Sequence, residues 1–372
     1  MKRWISALSA VVICFSLLAL PCAATPATGA ESAVLMEAGS GAVLYAKNEN
    51  EQLPMASTTK IMTALVALEH TADLGKRFSV ADEAVGVEGS SIYLARGEEL
   101  TMEQLLYALM LESANDAATA IACEVSGSVA DFAVLMNEKA TELGLSHTHF
   151  TNPHGLDDEA HYTTAVDLAK LACAALQNET FRGIVSTRKT TIPRNGSEGT
   201  RVLLNHNRLL QSYDGTIGVK TGYTKRCGRC LVSAAERDGV ILVAVTLNDP
   251  DDWRDHKAML DFGFAQYEPF VLAEEGTVTF RFPCVGGQKQ SITATNKEAL
   301  TLSLPCTGGP VITKLEAAPF LYAPVKKGDV VGYAVFYRDG TEIGRLALCA
   351  DAPCPTVRLQ KGSLGKQTDK NG

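Results

Sequence analysis

The sequence predicts an α+β domain, a five-stranded antiparallel sheet flanked by helices with a helical subdomain, followed by a small all-β domain. Three observations point there. Two short apolar segments flank Gly39-Ser40-Gly41, three more strand-like runs follow Gly215, and capped helical patterns fill the chain between them. Beyond about Phe270 the pattern changes to short alternating segments separated by Gly, Pro, Asn and Asp. A chain of 372 residues has room for two domains of this kind. The expected boundaries are a signal peptide over 1–24, the α+β domain over 31–270, a β-rich domain over 271–357 and a disordered tail over 358–372.

Composition narrows the class. With 46% hydrophobic and 20% charged residues, the chain reads as a soluble globular protein. A formal charge of -8 without a basic stripe argues against nucleic acid as a partner. At the N-terminus, Lys2 and Arg3 precede an apolar run from Trp4 to Leu20 and then Pro21-Cys22-Ala23-Ala24, the three parts of a secretory signal. Cleavage is expected after Ala24, with Ala30 as the second choice. A retained anchor is the alternative, since roughly 17 apolar residues lie at the short end for a membrane span. The protein is therefore expected outside the cytoplasm, in the cell envelope or secreted, with peripheral envelope association open and oligomeric state unspecified.

The elements follow in order. SAVLMEAGSGAVLYAK is read as a hairpin, and LPMASTTKIMTALVALEH as a helix burying Ile61, Ala64, Leu65 and Leu68. The acidic, Gly-containing stretch FSVADEAVGVEGSSIYLARGEE suggests irregular structure at a cleft edge. Thr101 with Gln104 forms a capping box ahead of Leu105, Leu106, Leu109 and Met110. That periodicity lapses at Glu112-Ser113-Ala114-Asn115-Asp116 and resumes from Ala117 to Val125, placing Ser113 and Asn115 at a helix junction. Ser128 with Asp131 and Thr164 with Asp167 open two further helices. Then come GTIGVKTGYT, CLVSAAER and VILVAVTLND, the last two joined by the turn signal Asp238-Gly239, and an amphipathic helix from Asp252 to Gln266.

Other clusters were weighed. His147, His149, His154 and His161 lie close together, but no acidic partner stands at helical spacing, so a loop packed under the active site is favoured over zinc. Eight cysteines lie beyond the signal. Cys123 and Cys173 sit on apolar helix faces and read as core residues. Cys227-Gly228-Arg229-Cys230 lacks the second pair of a zinc site, leaving a turn disulfide or two free thiols. Cys284, Cys306, Cys349 and Cys354 are the better disulfide candidates.

The chemistry is carried by Ser57-Thr58-Thr59-Lys60, whose three-residue spacing puts a hydroxyl beside an amine. Alone it has two readings, helix cap or nucleophile with base. Ser113-Ala114-Asn115 and Lys220-Thr221-Gly222 follow in order, on a helix junction and a strand. This ordered trio, with LPMASTTKIMTAL, LESANDAA, HTHFTNPHGL and GVKTGYT around it, resembles the low-molecular-mass penicillin-binding proteins of the serine D-alanyl-D-alanine carboxypeptidase family. The resemblance covers residues 32–268 well and the β-domain in outline.

It implies the β-lactamase/DD-peptidase-like fold and an acyl-enzyme on Ser57, with Lys60 as base, Ser113 and Asn115 as relay and substrate-amide contact, and Lys220 as positive charge. Thr221 is implied as a carboxylate contact. Ser57 and Tyr223 supply oxyanion N–H groups, with Gly222 permitting close approach. Arg254 stands where the family places a carboxylate-binding arginine, although it reads equally as a solvated helix residue. His206 falls where arginine is often seen. The implied substrate is the peptidoglycan stem pentapeptide, β-lactams are implied covalent inhibitors, and no cofactor or metal is expected. The rival readings are a β-lactamase or other serine hydrolase of this fold, or a non-catalytic penicillin- or peptidoglycan-binding protein.

Overall fold

The computed structural model describes residues 25–194 and 199–357. The expected signal peptide and the expected C-terminal tail lie outside the described residues.

The first part of the chain runs β1 (Ser32–Glu37), β2 (Val43–Lys47), α1 (Lys60–His70), β3 (Arg77–Ser79), β4 (Glu99–Thr101), α2 (Met102–Leu111), α3 (Asn115–Ser126), α4 (Val129–Glu142), α5 (Ala165–Leu176) and α6 (Glu179–Ser186). It continues with β5 (Lys189–Pro193), β6 (Thr200–Leu204), the short α7 (Leu209–Ser212), β7 (Thr216–Thr224), β8 (Gly228–Arg237), β9 (Val240–Leu247) and α8 (Asp252–Phe264). Five strands form one antiparallel sheet in the order β2-β1-β9-β8-β7, so the N-terminal hairpin docks beside the last three strands, as the sequence pattern predicts.

Both faces of this sheet are covered. Val34, Met36, Val232, Ala234, Val243 and Val245 join the apolar faces of α1 and α5 in one core. Ala33, Leu35, Leu242 and Ala244 meet Met259 and Leu260 of α8 on the other side. Period-two alternation explains the split, since neighbouring residues of β1 and β9 feed opposite cores. The capping box of Thr101 and Gln104 and the caps of Ser128 and Thr164 form as the residue types predict. The β5–β6 hairpin was not foreseen, and the stretch expected to be irregular also carries the short β3–β4 pair.

After α8 the chain is β: β10 (Tyr267–Ala273), β11 (Thr279–Val285), β12 (Ser291–Asn296), β13 (Leu300–Pro305), β14 (Ile312–Glu316), β15 (Leu321–Tyr322), β16 (Val330–Arg338) and β17 (Thr341–Ala350). Six of these form a sheet ordered β14-β16-β17-β12-β11-β15, while β10 pairs with β13. Residue 270 therefore lies inside β10, which is paired from Tyr267 onward. Phe282, Ile292, Ala294, Phe336 and Leu348 make a separate core. The eight described cysteines are thiols, with Cys284 and Cys354 facing each other across Gly287.

Candidate active site

The site forms where three distant stretches meet beside β7. Ser57 sits in a 3-10 turn, Ala56–Thr59, just ahead of α1. No side-chain cap forms at either helix start, so the capping reading of Ser57 gives way. Instead Lys60 Nζ donates to Ser57 Oγ at 2.9 Å, to Asn115 Oδ1 at 2.7 Å and to the His154 carbonyl at 2.6 Å. One turn of helix accounts for the first contact, and the junction after α2 supplies the second.

Lys60 is fully buried, and its amine is pushed well below the usual lysine range. Burial is the largest cause, the Lys220 charge adds to it, and Asp116 opposes it. Lys220 is 2% exposed and donates to the Thr221 carbonyl at 3.0 Å. Burial lowers its amine to about 7. Two buried lysines with depressed basicity thus lie in one polar interior, an arrangement suited to a neutral base beside a titratable cation.

The surrounding backbone is held in place from several directions. Asn115 Nδ2 donates to the Glu88 carbonyl at 2.6 Å, fixing which oxygen faces Lys60. Asp116, fully buried, accepts from Ser91 Oγ at 2.6 Å and from the backbone N–H groups of Ile92 and Leu94 at 3.2 and 3.0 Å. Arg201 grips both carboxylate oxygens of the buried Glu98 and donates to the Ile92 carbonyl, bracing the same loop from β6. Ser113 has φ +60, a strained conformation for a non-glycine residue, and lines the cleft together with Ser57.

The loop 152–161 lies under the turn that carries Ser57. At Gly155, φ is +87 and an added Cβ would stand 1.9 Å from the Ala56 carbonyl oxygen, so glycine is required twice over. His161 accepts from the Thr151 N–H at Nδ1, which places its proton on Nε2, 2.7 Å from Thr59 Oγ1. Burial, the largest effect, lowers His161 to about 4 and His154 to about 3. Both rings are therefore neutral, that of His161 supporting the turn that carries Ser57 and that of His154 accepting from the Leu156 N–H within its own loop.

On the open side lies a cleft of about 300 Å³ lined by Ser57, Ser90, Ser113, His206, Thr221 and Tyr223, with Gly222, Arg208, Arg229, Asp252 and Trp253 completing it. A Cβ on Gly222 would come within 3.2 Å of the Ser57 nitrogen, so β7 runs tight against the Ser57 turn. Ser57, Ser113, Thr221, Gly222 and Tyr223 all line this cleft, and Lys60, Asn115 and Lys220 stand behind it. Arg254 does not. Its side chain is 69% exposed and held by Asp251 and Asp255 at 3.0 Å each, so the carboxylate-binding role expected for it has no geometric support.

Arg229 occupies the cleft wall instead, bonding Asp252 through Nη2 at 2.8 Å and Nε at 3.1 Å and lying over Trp253. A signal for it existed. Pairing β7 with β8 around the Lys225–Cys227 turn sets Arg229 opposite Tyr223, beside Lys220-Thr221-Gly222. His206 lines the cleft too, 3.5 Å from Glu112, with burial and then Lys220 lowering its basicity.

Residues 21–251 match the family model described as D-alanyl-D-alanine carboxypeptidase, peptidase S11, and residues 267–355 match that described as the penicillin-binding protein 5 C-terminal domain. The chain is 35% identical over 332 residues to D-alanyl-D-alanine carboxypeptidase DacF of Bacillus subtilis, covering 86% of this chain and 85% of the relative. It is 31% identical over 337 residues to DacA of Haemophilus influenzae, covering 86% and 83%. Among solved structures, penicillin binding protein 5 of Haemophilus influenzae superposes with a TM-score of 0.63 at 28% identity, covering 89% of this chain and 98% of that one. The Streptomyces K15 DD-transpeptidase gives 0.62 at 37% identity, over 65% and 99%.

Proposed function

The chain belongs to the peptidase S11 family of serine D-alanyl-D-alanine carboxypeptidases, hydrolases of the penicillin-binding fold, and on that premise we propose that Ser57 is the acylated nucleophile and Lys60 its base. The observation that carries this is the 2.9 Å contact between Lys60 Nζ and Ser57 Oγ in a buried setting that disfavours the ammonium. Neutral Lys60 takes the Ser57 proton as Oγ attacks the penultimate D-alanyl carbonyl. The backbone N–H groups of Ser57 and Tyr223 receive the developing oxyanion, an arrangement supported by the close approach of Gly222 to the Ser57 nitrogen. Ser113 relays a proton to the departing D-alanine amine. Asn115 orients the Lys60 amine and contacts the substrate amide.

Protonated Lys220, Thr221 and Arg229 attract the terminal carboxylate, Arg229 with the planar guanidinium suited to it. The substrate is the peptidoglycan stem pentapeptide, met on the extracytoplasmic side of the envelope, and β-lactams acylate Ser57. The test is D-alanine release from a diacyl-Lys-D-Ala-D-Ala peptide, with mass mapping of a penicillin adduct. Release that disappears in Ser57→Ala, with the adduct on Ser57, is expected. No release, or an adduct elsewhere, overturns the assignment; rapid penicillin turnover without an adduct favours a β-lactamase.

A further inference from the structure

Two thiols flank the cleft arginine. Cys227 ends the β7–β8 turn, Gly228 opens β8 with φ +63, Arg229 faces the cleft, and Cys230 turns back inside. Cys227 and Cys230 are 2% and 1% exposed, and Cys230 Sγ lies 3.8 Å from the Cys227 carbonyl oxygen. Cys227 Sγ also lies 2.8 Å from Thr224 Oγ1, and Cys230 Sγ lies 3.9 Å from the Pro54 carbonyl, three residues before the nucleophile. Cys230 is paired in register with Gly222. The turn tip, Lys225 and Arg226, is exposed, so local opening there admits a small reagent to Cys227.

We propose that Cys227 and Cys230 are an oxidisable pair whose thiol or disulfide state sets the position of Arg229, and through it the grip on the substrate carboxylate. This rests on the role of Arg229 given above. Closing the pair requires an S–S bond of about 2.05 Å with a fixed torsion in place of two thiols. The backbone between the two sulfurs, Gly228-Arg229, must absorb that change, and Arg229 leaves its two-pronged contact with Asp252.

The exchange balances with a disulfide oxidant. Cys227 thiolate attacks one oxidant sulfur, forming a mixed disulfide and releasing a thiolate. Cys230 then loses its proton to solvent and attacks the Cys227 sulfur, releasing the second thiolate. The pair loses two electrons, and the oxidant disulfide becomes two thiols. The two thiols differ in the sense this order needs. The hydrogen bond from Cys230 lowers Cys227 to about 7, while Cys230 is raised by the same contact and by burial.

The experiment uses the full chain incubated with glutathione disulfide, then alkylated and digested with trypsin. Cleavage after Arg226, Arg229 and Arg237 leaves Cys227 on a tripeptide and Cys230 on CLVSAAER, so the bond appears as a covalent link between those two peptides. Expected are that link and a rise of about fivefold in KM for the D-Ala-D-Ala peptide, kcat changing less, both reversed by dithiothreitol. The Cys227→Ser/Cys230→Ser variant keeps one KM in both conditions. The proposal is overturned if the link does not form, if it forms with KM unchanged, or if the double variant still responds, which would assign the effect to another pair such as Cys284 and Cys354. If the reduced parent releases no D-alanine, the carboxypeptidase assignment fails instead, a result separate from the peptide link.

Discussion

The catalytic region and the β-domain are similar in having their own apolar cores, yet they bury different polar groups. Among the described residues, Lys60, Lys220, Glu98, Asn115, Asp116, Asp252 and His256 are all buried in the first region, whereas Asn296 is the buried polar residue of the second. Buried amines held below their usual basicity lower stability, because the unfolded chain protonates them freely. The first region therefore gives up stability for chemistry, and the second is under no such demand.

The sharpest way to break this contrast is Lys60→Met. It is expected to cut D-alanine release by about 10³-fold while raising the melting temperature, read by kinetics and calorimetry. Activity within tenfold of the parent would remove Lys60 from the role of base. Next, Phe336→Ala empties part of the β-domain core, where Phe336 is 2% exposed. It should destabilise that domain by about 3 kcal/mol in denaturant unfolding yet leave kcat/KM within about twofold. A parallel loss of activity would show that the two regions are coupled.

The pH dependence separates stability from function in one measurement. Lys220 titrates at about 7 in the folded chain, and lysine at about 10.4 when unfolded, so the unfolded state binds more protons between those values. Stability from this group is then lowest below about 7 and rises with pH across the interval. The Lys220 charge, proposed above to attract the substrate, is lost as pH passes about 7, so kcat/KM should fall there while unfolding becomes harder. The smallest effect expected is from Arg254→Ala. Its exposed pairing with Asp251 and Asp255 predicts an unchanged melting temperature and less than a twofold change in KM.

The five-stranded sheet, the capped helices and the three short motifs were legible because each rests on local spacing: alternation, capping residues, and a serine one helical turn from a lysine. What escaped the sequence depends on contacts between distant segments. Arg229 lies in a strand whose alternation marks it only as outward-facing, and its place beside Tyr223 follows from hairpin register. Arg254 has the right residue type, but acids on either side of it in the helix hold it on the outer surface. Asp116 reads as one more acid after Asn115, and its role comes from three groups of a loop some two dozen residues earlier.

The strand order also carries a consequence for when the enzyme can become reactive. β1 needs β9, and the lowered basicity of Lys60 needs its burial beside the His154 carbonyl and the field of Lys220. Such pairings between the two ends of a region have high contact order and form late. A chain emerging from its N-terminus holds Ser57 long before β7 exists, with a lysine still solvated and protonated beside it. Ser57, in the role proposed for it, is therefore expected to stay inert throughout synthesis, activation coinciding with closure of the sheet.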